Sequence, residues 1–288
     1  IDSFAAYMGY HKKEAGGVWY LSDSAFGYEN PFEIKSKNKH VSIPLVDFSS
    51  YDLVFIQGAN PVVSAPNTQR VIDGLKKSFV VYFGTALNDT CEYADLIIPS
   101  STFLSKKDVR LSYGHELKAI SHEVKIKDEN TISEYDLASF LIEQFNLKKL
   151  KSEDEVISYY EKHKPILEEF DTFEFIEDME IEPLYKEKND DNFYYITGKS
   201  KNSLNSQFAK DDFVYLHSST NFKNDDVVRI SSKYGNANFK VRIDDNIKSN
   251  CAFFFTGNKY ANYLTPAQED DASHSAIFQE VLVQIELS

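Results

Sequence analysis

"YDLVFIQGANPVVSAP", residues 51–66, starts as an apolar strand and runs straight into Gly-Ala-Asn-Pro. A strand apolar along its whole length is of the kind buried on both faces of a parallel sheet. Gly58 allows a sharp turn with no Cβ in the way, and Pro61 fixes the exit. In open α/β sheets, ligands lie at the carboxyl ends of the strands. The same four residues also make a plain tight turn. The stretch therefore decides the fold and leaves a ligand open.

The residues around it complete the unit. Asn67 is placed to cap a helix over about 68–77, with Val71, Ile72 and Leu75 facing inward. "FVVYF" (79–83) and "ADLIIPSS" (94–101) read as further buried strands. Strand, helix and strand with short links imply a right-handed βαβ unit and a parallel sheet. Upstream, residues 1–15 look helical, with Phe4, Met8 and His11 to one side, and Gly16-Gly17 stops them. "VWYL" (18–21) reads as a strand followed by a polar loop. Downstream, residues 133–147 carry Leu137, Phe140, Leu141 and Phe145 on one helical stripe. Ser152 and Glu155 form a capping-box pattern for a helix over about 153–163.

From 167 to 192 acid alternates with aromatic and aliphatic residues without Gly, which reads as an extended connector. The last hundred residues switch to period two: "FYYITG", "DFVYLHS", "DVVRISS", "NFKVRID", "CAFFFTG" and "VLVQIEL". Short strands at this spacing mean a small barrel or sandwich. The expected architecture is an α/β domain with a parallel sheet (1–166), an acidic connector (167–192) and a C-terminal all-β barrel (193–288).

Bulk properties narrow the function classes. The chain has 288 residues, 42% of them hydrophobic, which supports a real core. Net charge is −14, so phosphate backbones and anionic lipid surfaces are repelled, and nucleic acid is not an expected partner. No run of about 18 apolar residues exists, so no membrane insertion is expected. The chain opens at Ile1 without Met and reads as a piece of a longer protein. Cys91 and Cys251 are its two cysteines, too few for a cluster site or a disulfide framework.

Two more stretches join "GANP" as candidate sites. In "NDTCEYADLIIP" (88–99), Asp95 sits at a strand entrance, where it either meets a ligand or holds a turn. In "TGNKYANYLTP" (256–266), Gly, Asn and Thr form a polar loop at a strand end. His115 and His122, each followed by Glu, stand seven apart; the reading is a solvated face and no metal site. No G-x-S-x-G, P-loop or G-x-G-x-x-G is present. Ser218 and Ser219 beside His217 have no acid placed by spacing, so no catalytic residue is assigned.

Taken in order, "IQGANP", "TCEYADLIIP", Thr197-Gly198-Lys199, "VVRISSKYG" (227–235) and Ala261-Asn262-Tyr263-Leu264-Thr265 resemble the molybdopterin oxidoreductase superfamily. The resemblance covers nearly the whole chain. It implies a double-psi form for the barrel. It also implies that Gly58, Asn60, Asp95, Lys199 and Asn262 are the positions that hold a molybdopterin guanine dinucleotide in an active member such as a formate dehydrogenase. The departures are as telling. Where the family has a Gly-Thr loop ending in Asn, Glu, Gly and Arg, this chain reads "SKKDVRLSYGHEL" (105–117), with Ser105, Asp108, Val109 and Ser112 in altered places and Gly114 kept. Asp225 stands for another Gly.

A fold kept after its ligand is lost most resembles the branch containing the large peripheral-arm subunit of bacterial NADH-quinone oxidoreductase, respiratory complex I. That resemblance implies a non-catalytic segment with no cofactor of its own. Iron–sulfur clusters are then expected upstream, other respiratory subunits are the partners, and the location is the cytoplasmic face of the inner membrane. Asp108 and Asp225 are expected to recharge the cleft.

Overall fold

The computed structural model describes residues 2–14, 16–18, 40–112, 117–164, 192–201, 203–204, 207–208, 211–271, 274–279 and 281–288. Of the expected "VWYL" strand only Val18 lies within them. The polar loop after it, Gly114, His115 and all of the connector except Asn192 lie outside the described residues.

In chain order the elements are α1 (Asp2–Tyr7), β1 (Leu53–Gln57), α2 (Pro61–Ser64), α3 (Thr68–Leu75), β2 (Phe79–Gly84), β3 (Leu96–Pro99), β4 (Asp108–Arg110), β5 (Ala119–Ser121), α4 (Glu134–Gln144) and α5 (Glu153–Lys162). The strands then run β6 (Phe193–Gly198), β7 (Ser203–Leu204), β8 (Gln207–Phe208), β9 (Phe213–Leu216), β10 (Val227–Ser231), β11 (Asn236–Ile243), β12 (Cys251–Phe255) and β13 (Val281–Leu287). Contacts group them into two units: Ile1–Lys37 with Ser100–Leu184, and Asn38–Pro99 with Tyr185–Ser288.

In the first unit, α1 is shorter than the expected helix over 1–15. Gly9 takes φ +69°, which ends it, and a 3-10 turn follows at Tyr10–Lys12. α5 has its expected capping box: Glu155 N–H donates to Ser152 Oγ at 3.3 Å, and Ser152 N–H donates to Glu155 Oε2 at 2.9 Å. α4 has one too, between Ser133 and Asp136. Its stripe is not buried as one face. Leu137 is buried, but Phe140 and Phe145 are 56% and 69% exposed. β4 and β5 pair as a short antiparallel ladder.

In the second unit, β1, β2 and β3 form a parallel sheet in that order. Central β2 is buried at four consecutive positions, Val80 to Phe83. β1 corrects the expectation of two buried faces: Val54 and Ile56 are buried, whereas Leu53 and Phe55 are exposed. The cause is where the connections lie. Val71, Ile72 and Leu75 of α3 and Cys91 and Tyr93 of the second crossover all pack with Val54, Ile56, Val80 and Tyr82 on one face. Asn67 caps α3 as expected, its Oδ1 accepting from Arg70 N–H at 3.2 Å. A Cβ on Gly74 would lie 2.8 Å from Phe48 Cβ, so only glycine lets α3 approach that turn.

The six period-two runs are the six strands of a closed barrel, ordered β10-β11-β9-β12-β6-β13. β9 with β11 and β6 with β12 are parallel; the other neighbours are antiparallel. Closure leaves no free edge. Inward residues Tyr195, Val214, Leu216, Val228, Ile230, Phe239 and Phe254 are fully or almost fully buried. Tyr195 stacks on Phe254, with ring centroids 4.9 Å apart.

Candidate functional site

The site grows out of the turn after β1. Gly58 takes φ +58°, and its N–H donates to Phe83 O at 2.8 Å. That backbone conformation selects glycine. A Cβ there would meet nothing within 4 Å, so the outer side of the turn is open. Two residues on, the buried Asn60 side chain works as a brace. Its Oδ1 accepts from Thr90 Oγ1 at 2.8 Å and Thr90 N–H at 3.2 Å, and its Nδ2 donates to Asp89 Oδ2 at 3.2 Å. Thr90 Oγ1 in turn accepts from Val62 N–H at 3.3 Å. The amide ties the β1 turn to the 3-10 turn Asp89–Tyr93, with both its polar atoms engaged inside the protein.

Asp95 stands elsewhere. Its Oδ2 accepts from Val80 N–H at 2.7 Å, and its own N–H donates to Val80 O at 2.8 Å. Val80 pairs with Val54 near the amino end of the sheet, whereas Gly58 bonds to Phe83 at the carboxyl end. The structure does not bring Asp95 together with Gly58 and Asn60.

The loop after β12 supplies the other wall. Thr256 N–H and Oγ1 both donate to Gly198 O, at 2.8 and 3.1 Å. This fixes the loop against the end of β6, where exposed Lys199 follows. Gly257 takes φ +96°. Buried Asn258 donates to Phe213 O at 3.3 Å and accepts from Tyr260 N–H at 3.0 Å. Asn262 Nδ2 then donates to Val63 O at 2.7 Å. Thr265 Oγ1 accepts from Asn67 N–H at 3.3 Å and donates to Asn262 O at 3.1 Å. Asn262 is thus joined to α2, the helix that Gly58 and Asn60 begin. Lys259 lies 3.5 Å from Asp89 and 3.8 Å from Glu92. Burial works to lower its ammonium, and the Glu92 and Asp89 carboxylates outweigh this, so its pKa lies above the usual lysine value.

These elements enclose a pocket of about 260 Å³. α2 contributes Val63 and Ser64, and β6 contributes Tyr195 and Thr197. The β12 loop contributes Phe255, Thr256, Gly257 and Asn262, with Phe278 and Gln279 closing the far side. Among the described residues, no Lys, Arg, Asp or Glu lines it. Gln279 Nε2 donates to Thr197 Oγ1 at 2.8 Å and to Thr197 O at 3.1 Å, and Gln279 Oε1 accepts from Thr197 N–H at 2.9 Å. The Tyr195 hydroxyl is buried without a partner among the described residues, and burial pushes its pKa far above the usual phenol value. Among the described residues, the Tyr195 phenol is the one titratable side chain that lines the pocket. Among the described residues no group of three or more His, Cys, Asp or Glu could hold a metal ion.

Of the two acids expected to recharge a cleft, Asp225 is placed differently. Asp225 does not line this pocket; it is exposed, with Oδ1 3.6 Å from Arg242 Nη2. It takes φ +68°, a conformation that suits glycine. Asp108 is exposed on β4, and its carboxylate accepts from Val109 N–H at 2.9 Å. Sequence reasoning missed Ser64, Gln279 and Tyr195. Period two in β6 puts Tyr195 on the same face as Thr197, which was the available signal for Tyr195.

Residues 5–132 match the family described as Molybdopterin oxidoreductase, and residues 193–282 match the Molydopterin dinucleotide binding domain. The chain is 31% identical over 108 residues to the "Probable oxidoreductase YoaE" of Bacillus subtilis (strain 168), covering 36% of this chain and 16% of that protein. Among solved structures it resembles the acetylene hydratase of Pelobacter acetylenicus, with TM-score 0.63 and 14% identity, over 82% of this chain and 44% of that one. At that identity the likeness is one of fold. The matched part is less than half of either relative's length.

A dinucleotide can be tested against this pocket. At about 260 Å³ it falls below the roughly 300–1,000 Å³ of sites for drug-sized ligands. Among the described residues its wall carries no cation for a pyrophosphate, and the Asn60 and Asn262 side-chain amides each donate within the protein. The residues of this pocket do not fit such a group.

Proposed function

From the membership of this chain in the molybdopterin oxidoreductase family, through both its oxidoreductase and its dinucleotide-binding segments, we propose that it is a non-catalytic scaffold. It is the structural part of the large peripheral-arm subunit in a NADH-quinone oxidoreductase. It supports the cluster-bearing part of that assembly and offers surface to neighbouring subunits, while electrons pass from NADH or another donor to quinone. A peripheral position at the cytoplasmic face of the membrane agrees with this. No helix of the described residues is long and apolar enough to cross a membrane.

The observation that carries the reading is the use made of the family's polar positions. Asn60 braces Thr90 and Asp89, and Asn262 holds Val63, so side chains suited to a ligand hold the protein together. A second reading is the cofactor-binding half of an active molybdopterin oxidoreductase such as a formate dehydrogenase. The open side of Gly58 and the exposed Lys199 at the end of β6 favour it.

The deciding experiment is mass spectrometry for molybdenum and pterin on the full-length protein purified from its host. The scaffold reading expects far less than one equivalent of either. Stoichiometric metal with bound pterin would establish the second reading instead.

A further inference from the structure

We propose that the uncovered half of α4, with the lysine segment that returns beside it, is a docking surface for an acidic amphipathic helix of a neighbouring subunit. This rests on the scaffold reading and names the chemistry of the partner.

Two observations meet here. Leu137 of α4 is buried, and the apolar stripe then runs on uncovered through Phe140, Leu141 and Phe145. Asn146 at φ +50° ends the helix, and Leu147 N–H turns back to donate to Ile142 O at 2.9 Å. Leu147 is exposed as well. The chain then runs back along α4, because the Tyr135 hydroxyl in its first turn donates to Lys151 O at 3.0 Å. That return carries Lys148 and Lys149, both exposed, beside α4. From 137 to 151 there are three lysines and one acid, Glu143, in a protein of net charge −14. Lys151 has Glu155 at 3.8 Å, whereas Lys148 and Lys149 have no ion pair among the described residues.

The occupant follows from the two features together. A helix face is covered most simply by another helix, whose ridges enter its grooves. Free lysines beside the stripe call for carboxylates on that helix. A second copy of this chain would bring the same lysines to a two-fold contact. A lipid surface or a nucleic acid presents its charge to the whole acidic molecule, whereas one helix meets only the local lysines.

The test is fluorescence anisotropy of the full chain against a labelled helical peptide of about 16 residues, with Leu and Phe on one face and Glu flanking them. A second peptide carries Lys at every Glu position. At near-physiological salt the acidic peptide should saturate with a Kd of about 10–100 μM, and the basic one should bind at least about tenfold more weakly. Phe140→Ser with Phe145→Ser, and Lys148→Glu with Lys149→Glu, should each weaken the acidic peptide about fivefold or more. All four side chains are exposed, so the melting temperature should not move. The proposal is overturned by no saturable binding, by equal affinity for the two peptides, or by both double variants binding like the parent. Dimers that Phe145→Ser dissolves, or sedimentation with phosphatidylglycerol vesicles that Phe145→Ser abolishes, would give the face to a second copy or to lipid and overturn it too. All of these leave the scaffold reading standing, because that reading turns on molybdenum and pterin content.

Discussion

The Asn262 side chain reaches across 199 positions of sequence to donate to the carbonyl of Val63 at 2.7 Å. Val63 is 2% exposed, so the acceptor has little access to water. Leaving a buried carbonyl without its donor costs about 1–2 kcal/mol. Asn262→Ala should lower the unfolding free energy by that much, read as a lower urea midpoint at unchanged m-value. Asn262→Asp, which sets a carboxylate against the carbonyl, should cost at least as much. An aspartate variant as stable as the parent would show that this bond does not hold the two elements together.

Asn60 and Thr90 make a sharper pair. Asn60 Oδ1 accepts two bonds from Thr90, one from the hydroxyl and one from the backbone. Thr90→Val removes the hydroxyl alone, taking the bond to Asn60 and the one that Val62 N–H donates; about 1–2 kcal/mol is expected. Asn60→Ala strips the acceptor from both Thr90 donors and should cost about 2–3 kcal/mol. The double variant should cost less than the sum, because the residues share one network. Additivity in that cycle would argue against the brace.

Asp225 sits at φ +68° in the turn before β10. Left-handed backbone costs an ordinary residue about 1–2 kcal/mol, and less for Asp than for a branched residue. Its ion pair with Arg242 is exposed and contributes little. Asp225→Gly should therefore raise stability, by up to about 1 kcal/mol, and Asp225→Val should lower it. Thermal melts of the three proteins decide the order.

What could be read from sequence divides along physical lines. All six barrel strands, the parallel β1–β2–β3 sheet, the Asn67 cap and the Ser152–Glu155 box are written in local periodicity and side-chain chemistry. The Ser133–Asp136 box was equally local and was missed because Asp replaces the usual Glu or Gln at its third position. The one-sided burial of β1 depends on both crossovers lying over the same face, which a single strand cannot reveal. The candidate site divides in the same way. Gly58 follows from the turn, but only the register of β2 puts Asp95 at the far end of the sheet. That Asn262 would spend its donor on Val63 is a fact of tertiary packing.

Acid should act through Asp136. Its carboxyl lies below the usual aspartate range, held first by the Lys127 ammonium and then by the Ser133 backbone N–H. A depressed pKa means the unfolded chain binds the proton more readily. The stabilisation is therefore complete well above the ordinary aspartate value of about 3.9 and is lost as pH falls through and below it. Asp136→Asn should flatten the acid limb of stability below about pH 4 and leave the limb above about pH 7 with the same slope. Denaturant midpoints at several pH values check this. An unchanged acid limb would remove Asp136 from the account.

The sheet makes the last distinction. Leu53 is 58% exposed, whereas Ile56, three residues along the same strand, is buried at 6%. Alternation sends them to opposite faces, and only the face with Ile56 is packed under α3 and the second crossover. Ile56→Ala should cost about 2–4 kcal/mol through lost burial and a cavity. Leu53→Lys should change stability by less than about 0.5 kcal/mol and reduce binding of a hydrophobic dye, since it adds charge to an apolar surface without opening a void. The comparison is internal, with one strand, two aliphatic side chains and the same denaturation measurement. If Leu53→Lys cost as much as Ile56→Ala, Leu53 would be covered in solution, and the one-sided burial of β1 would be wrong.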